Sequence, residues 1–88
     1  MELRQLRYFV AVAETQSFTR GAEAQRVAQP ALSRQVRALE EELGVELLER
    51  SARPVKLTEA GRICFEQASQ ILSGIEQLRH TMENARAF

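Results

Sequence analysis

The last third of the chain, "EAGRICFEQASQILSGIEQLRHTMENARAF", limits most strongly what the whole can fold into. Cys64, Ala68, Ile71, Ile75, Leu78, Met82 and Ala85 follow one another in steps of four and three, a heptad pattern sustained over three heptads. Such spacing predicts one helix from Glu59 almost to the C-terminus, capped by Thr58. A single protruding helix cannot bury a stripe of that length. The stripe therefore predicts a partner, with Ala68, Ile71, Ile75, Leu78, Met82 and Ala85 at the interface of a homodimer formed through residues 59–88. Phe65 and Leu72 widen the apolar face near its start, where the helix is expected to pack on its own domain. That domain is residues 1–58. In a chain of 88 residues it buries a modest share of its surface, so association is a plausible extra source of stability.

Upstream, the same periodicity writes shorter helices. Leu3, Leu6, Phe9, Val10 and Ala13 share a face in residues 3–14. Ser17 is a good cap for a second, short helix with Phe18 and Ala22 on its core side. That helix is weakly written, because Gly21 in its interior costs about 1 kcal/mol relative to alanine. Gln25 also stands where an apolar residue would help. After a break near residues 25–28, "AQPALSRQVRALEEELG" reads as a third helix. Pro30 suits its first turn, Leu32, Val36, Leu39 and Leu43 form its core stripe, and Gly44 fits a left-handed cap. "VELLER" and "PVKLT" then flank "SAR" as a small two-stranded hairpin.

Charge is distributed rather than biased. The formal net charge is zero, yet residues 24–39 contain Arg26, Arg34 and Arg37 without an acid, and residues 50–58 contain Arg50, Arg53 and Lys56 without one. Residues 40–49 hold five glutamates. Two helices joined by a tight turn, the second with a polar and basic outer face, describe a helix-turn-helix, and the hairpin makes it winged. The fold class expected is mainly α: a winged helix-turn-helix followed by a long linker helix for dimerisation.

A major groove admits one helix, whose positive N-terminal end suits the neighbouring phosphates. Gln29, Ser33 and Arg34 lie on the leading turns beside Pro30 and are the expected base contacts, with Arg34 able to offer two hydrogen bonds to guanine. At the hairpin tip, Arg53 beside Pro54 is suited to a narrow minor groove. Ser17, Thr19, Arg20, Arg37, Arg50 and Lys56 are the expected phosphate contacts. The glutamates at the far end of the third helix are expected to point away from the duplex.

The motifs "LRQLRYFVAVAE", "SFTRGAE", "QPALSRQVRALEEELGVELLER" and "LTEAG" together resemble the N-terminal DNA-binding domain of LysR-type transcriptional regulators, over nearly the whole chain. The resemblance implies double-stranded DNA as partner, pairing of two copies through the linker helix and an inverted-repeat target. It also implies base reading by the positions of Gln29, Pro30, Ser33 and Arg34, and minor-groove entry at Arg53. "LLERSARPVKLTEAG" is most similar to the branch controlling degradation of aromatic compounds, the muconate- and benzoate-responsive regulators. Gly21, Gln25 and Ala28 depart from the usual Ala, Leu and Ser. Family members continue into an effector-sensing domain, so a small-molecule effector and a full-length tetramer are expected only through residues outside this chain.

Other functions find little support. His80 lies beside the stripe and Cys64 within it, and no catalytic triad, carboxylate pair or glycine-rich phosphate loop is written. No enzyme activity, cofactor or metal is expected. A helical interaction module would explain the stripe and the zero net charge, but not the face of Ser33, Arg34 and Arg37. No apolar run reaches membrane-spanning length and the N-terminus lacks a signal peptide's apolar core, so a cytoplasmic location is expected.

Overall fold

A computed structural model describes residues 1–86 as four helices and a two-stranded hairpin, 52 Å along its longest axis. Helix α1 (Leu3–Thr15) follows Glu2, whose N–H donates to Gln5 Oε1 at 3.1 Å. It packs against α2 (Phe18–Gln25), α3 (Gln29–Leu43) and α4 (Glu59–Ala85). Cover from several sides widens its buried face beyond the one periodicity predicts and leaves its N-terminal end open. Leu6, Phe9, Val10, Ala11 and Val12 are buried, whereas Leu3 is exposed and Ala13 half-buried.

Helix α2 starts as expected, with Ser17 Oγ accepting from Arg20 N–H at 3.0 Å. Gly21 has a packing reason for being small. A Cβ there would stand 3.0 Å from Val12 Cγ2 and 3.1 Å from Val12 N, so α2 and α1 approach closely at this point. Gln25 is half-buried as the last residue of the helix, and Arg26 closes it in the left-handed region at φ 58°.

Helix α3 carries Pro30 in its first turn and ends at Gly44, whose φ of 72° is the left-handed geometry that favours glycine. Leu32, Val36 and Leu39 are fully buried. Leu43 departs from expectation: it is exposed, because the helix ends beside an open groove rather than beneath another element.

The hairpin is short. Strand β1 (Leu48–Glu49) pairs antiparallel with β2 (Lys56–Leu57), Leu48 opposite Leu57 and Glu49 opposite Lys56. Leu47, Leu48 and Val55 anchor it in the core. Thr58 then joins hairpin to α4: its Oγ1 accepts from Gly61 N–H at 2.9 Å and donates to the Glu46 carbonyl at 2.6 Å. The helix passes so close to the hairpin that a Cβ on Gly61 would lie 2.0 Å from the Leu47 carbonyl oxygen.

Along α4 the apolar stripe divides. Ala68 is buried in the protomer's own core, with Cys64, Phe65 and Leu72 packed around it. Its expected place in a dimer interface is therefore corrected: the proximal helix lies flat on the domain and uses that position internally. Ile75 is half-buried, and Leu78, Met82 and Ala85 are exposed. The stripe is thus intramolecular at its start and open at its end.

Candidate nucleic-acid interface

Three segments far apart in sequence meet at one surface. Ser17, Phe18 and Thr19 open α2, Gln29 opens α3, and Arg53 and Val55 belong to the wing; with Gln16 they line a cleft of about 240 Å³. The wing is tied to this surface by Val55 N–H, which donates to the Gln16 carbonyl at 3.1 Å. Of the four expected base-contacting residues, Gln29 borders the cleft directly. Pro30 and Arg34 are exposed on α3, and Ser33 is half-buried beside them. Arg37 is exposed one turn beyond Ser33. No side chain caps the N-terminus of α3, since Ala28 offers none, so the positive end of the helix is open to a ligand.

Most of the cations named from the sequence stand without an ion pair. Among the described residues no carboxylate lies within 4.0 Å of Arg20, Arg34, Arg37, Arg53 or Lys56. Thr19 and Arg20 are exposed at the first turn of α2. Ser17 Oγ already accepts the capping bond, which leaves its hydroxyl hydrogen for another acceptor. Arg53 is exposed at the wing tip beside Pro54, with Nη1 donating to the Ala52 carbonyl at 2.8 Å and to the Arg50 carbonyl.

Arg50 differs from the other cations. Its guanidinium is paired with Glu40 and stands over the Phe18 ring, 4.8 Å from the centroid. An arginine held on both sides differs from a free phosphate ligand, although its side chain stays half-exposed.

Glu40 differs from the neighbouring glutamates. Rather than pointing to solvent with Glu41 and Glu42, it is only 8% exposed. Its Oε2 accepts from Leu47 N–H at 2.8 Å and Leu48 N–H at 3.3 Å, while Oε1 accepts from Arg50. A signal was available: residue 40 falls four after Val36 and eight after Leu32, inside the buried stripe of α3.

On α4, burial pushes the Cys64 thiol above its ordinary pKa. It is a packing residue, poorly suited to act as a thiolate. No helix among the described residues is long and apolar enough to cross a membrane.

Known proteins share this architecture. The chain is 60% identical over 79 residues to a probable cat1 operon transcriptional activator of Acinetobacter lwoffii, covering 90% of this chain and 26% of that protein. It is 56% identical over 78 residues to the transcriptional regulator BenM of Acinetobacter baylyi, covering 89% of this chain and 26% of BenM. The chain thus spans about a quarter of the length of these relatives. The BenM DNA-binding domain, solved in complex with catB site 1 DNA, superposes with a TM-score of 0.92 at 52% identity, over 96% of this chain and 93% of that one. The family profile of the bacterial regulatory helix-turn-helix proteins of LysR type matches residues 3–62, and the chain belongs to that family.

Proposed function

We propose that residues 1–86 form the DNA-binding part of a bacterial transcriptional regulator that binds double-stranded DNA as a homodimer on an inverted repeat. The observation that carries this reading is the cleft where Gln29, at the uncapped N-terminus of α3, meets Thr19 and Arg53, with neither Arg34 nor Arg53 held by a carboxylate among the described residues. α3 enters the major groove, with Gln29, Pro30, Ser33 and Arg34 against base edges. Arg53 leaves its wing-tip carbonyls and enters the minor groove, exchanging two acceptors of its own chain for those of the bases. Ser17, Thr19, Arg20, Arg37 and Lys56 hold the phosphates that fix orientation. The likeness to a domain solved on DNA supports this assignment.

Two copies pair through α4. The seam runs along Ile71, Ile75, Leu78, Met82 and Ala85, and exposed Ile63 adds apolar surface at its proximal end. A groove of about 400 Å³, lined by Met1, Leu43, Val45, Ile63 and Ile71 among others, continues that surface onto the domain. Twofold pairing places two α3 helices in successive major grooves. The full-length protein is a cytoplasmic tetramer that senses its effector through a further domain, and its role is regulation rather than catalysis. Similarity to the cat1 operon activator and BenM supports a place among regulators of aromatic-compound degradation.

Selection of bound sites from a random duplex pool tests the reading. The expected result is a pair of inverted half-sites whose affinity falls steeply with salt. Recovery of sites without symmetry, or retention insensitive to salt, would overturn it.

A further inference from the structure

The expected DNA contacts come from two elements, α3 and the wing, and the angle between them decides whether both grooves are reached together. Glu40 touches that angle at several points. It sits in the C-terminal half of α3, yet its carboxylate holds the start of the wing through Leu47 N–H, Leu48 N–H and Arg50. Its own backbone carbonyl accepts from Gly44 N–H at 2.8 Å and Val45 N–H at 3.2 Å. One residue thus fixes the turn out of α3 and the first strand that follows it.

Arg50 extends the tie to a third element. Its guanidinium spans from Glu40 on α3 to the face of Phe18, the first residue of α2 and a wall of the interface cleft. The other root of the wing is Val55, bonded to Gln16. Residues 51–54, including Arg53, are suspended between these two anchors. Charge at Glu40 is mostly withdrawn from water, which strengthens its hold on Arg50 compared with an exposed pair.

We propose that Glu40 and Arg50 are positioning residues: the ion pair sets the wing against α3 and so holds Arg53 where it reads the minor groove while α3 lies in the major groove. The inference rests on the DNA-binding reading above. Neither residue needs to touch DNA. Their effect is on which flanking sequences are favoured, since the wing senses groove width rather than base identity.

The test uses the 88-residue chain and half-sites selected by the wild type, synthesised with either A·T or G·C pairs beneath the wing. Glu40→Gln keeps an acceptor for the Leu47 and Leu48 N–H groups and removes the charge facing Arg50. Arg50→Met keeps apolar contact with Phe18 and removes the pair from the other side. Wild type is expected to favour the A·T flanks by about fivefold or more. Both variants should lose that preference, matching Arg53→Ala, while base preference opposite Arg34 stays unchanged. Uniform weakening on both flanks, or no change, would overturn the positioning role. If Glu40→Gln fails to fold by circular dichroism, Arg50→Met decides by the same criteria. Absence of wild-type binding to any duplex would instead overturn the DNA-binding reading, and that result is visible before a variant is made.

Discussion

Leu39 and Leu78 occupy equivalent-looking places, each on the apolar stripe of an amphipathic helix, yet Leu39 is 0% exposed and Leu78 is 61% exposed. The difference lies in what each helix can lean on. α3 is clamped beneath α1 and α2, and its stripe is consumed within the chain. α4 begins the same way, with Ala68 buried, then outruns the domain. Beyond Leu72 its stripe has little of this chain to meet. Apolar residues in 1–58 are consumed by the fold of one chain; the same residue types in distal α4 are left exposed, the surface that the proposed pairing would cover.

This comparison is sharpest in a matched pair of substitutions. Leu39→Ala should lower the unfolding free energy by about 2–5 kcal/mol, because it leaves a cavity in a closely packed core. Leu78→Ala should change monomer stability by less than about 0.5 kcal/mol, since there is no intrachain packing to lose. Urea unfolding across a range of protein concentrations separates the two. A Leu78→Ala loss equal to that of Leu39→Ala in the monomer would break the distinction.

Charge in distal α4 probes the other side. Leu78→Glu or Ile75→Glu should shift the sedimentation mass from two chains to one, a weakening of about 3 kcal/mol or more if the seam is fully desolvated in the dimer. Far-UV circular dichroism of the head should barely change. A mass still equal to two chains would move the interface off these residues.

Arg34→Ala addresses function without touching either core. Cognate binding should weaken by about 1–3 kcal/mol, with relaxed preference at one base position. Equal losses on cognate and random duplexes would make Arg34 a phosphate anchor. The salt dependence of binding separates these outcomes, because a phosphate contact reduces its slope by about one counterion.

Most of the architecture was legible because periodicity and caps agree locally. Ser17, Pro30, Gly44 and Thr58 mark helix ends by chemistry internal to a few residues, and the structure places helix ends at each of them. What escaped depends on contacts between distant segments. Ala68 reads as an interface residue in a heptad, and only the docking of α4 on the domain withdraws it. Leu43 continues the stripe of α3 past the point where neighbouring elements cover it. By charge alone, Glu40 reads as turned away from the duplex and Arg50 as a phosphate contact. Their mutual contact buries Glu40 and ties Arg50, which stays half-exposed, to the wing root. The candidate interface was legible as a list of residues. The meeting of Gln29, Thr19 and Arg53 around one cleft follows from the tether of Val55 to Gln16, which no local pattern announces.

Gly21 tests how finely the head is packed, and here the expected effect is smallest because two terms oppose. Replacing it with alanine removes the helix penalty of glycine, about 1 kcal/mol in a helix interior. Against this, the new Cβ would stand 3.0 Å from Val12 Cγ2, 3.1 Å from Val12 N and 3.2 Å from Val12 Cα. A side-chain methyl can rotate aside, but the backbone of α1 cannot, so α2 must retreat by a few tenths of an ångström. Overpacking of that size costs about 1 kcal/mol or slightly more. The balance for Gly21→Ala is a stability change within about 1 kcal/mol of zero, which corresponds to a melting shift below about 8 °C in a domain of this size. A larger fall would show that the α1–α2 contact is as unyielding as the deepest part of the core. A clear rise would show that α2 can retreat freely, leaving the helical gain of alanine unopposed.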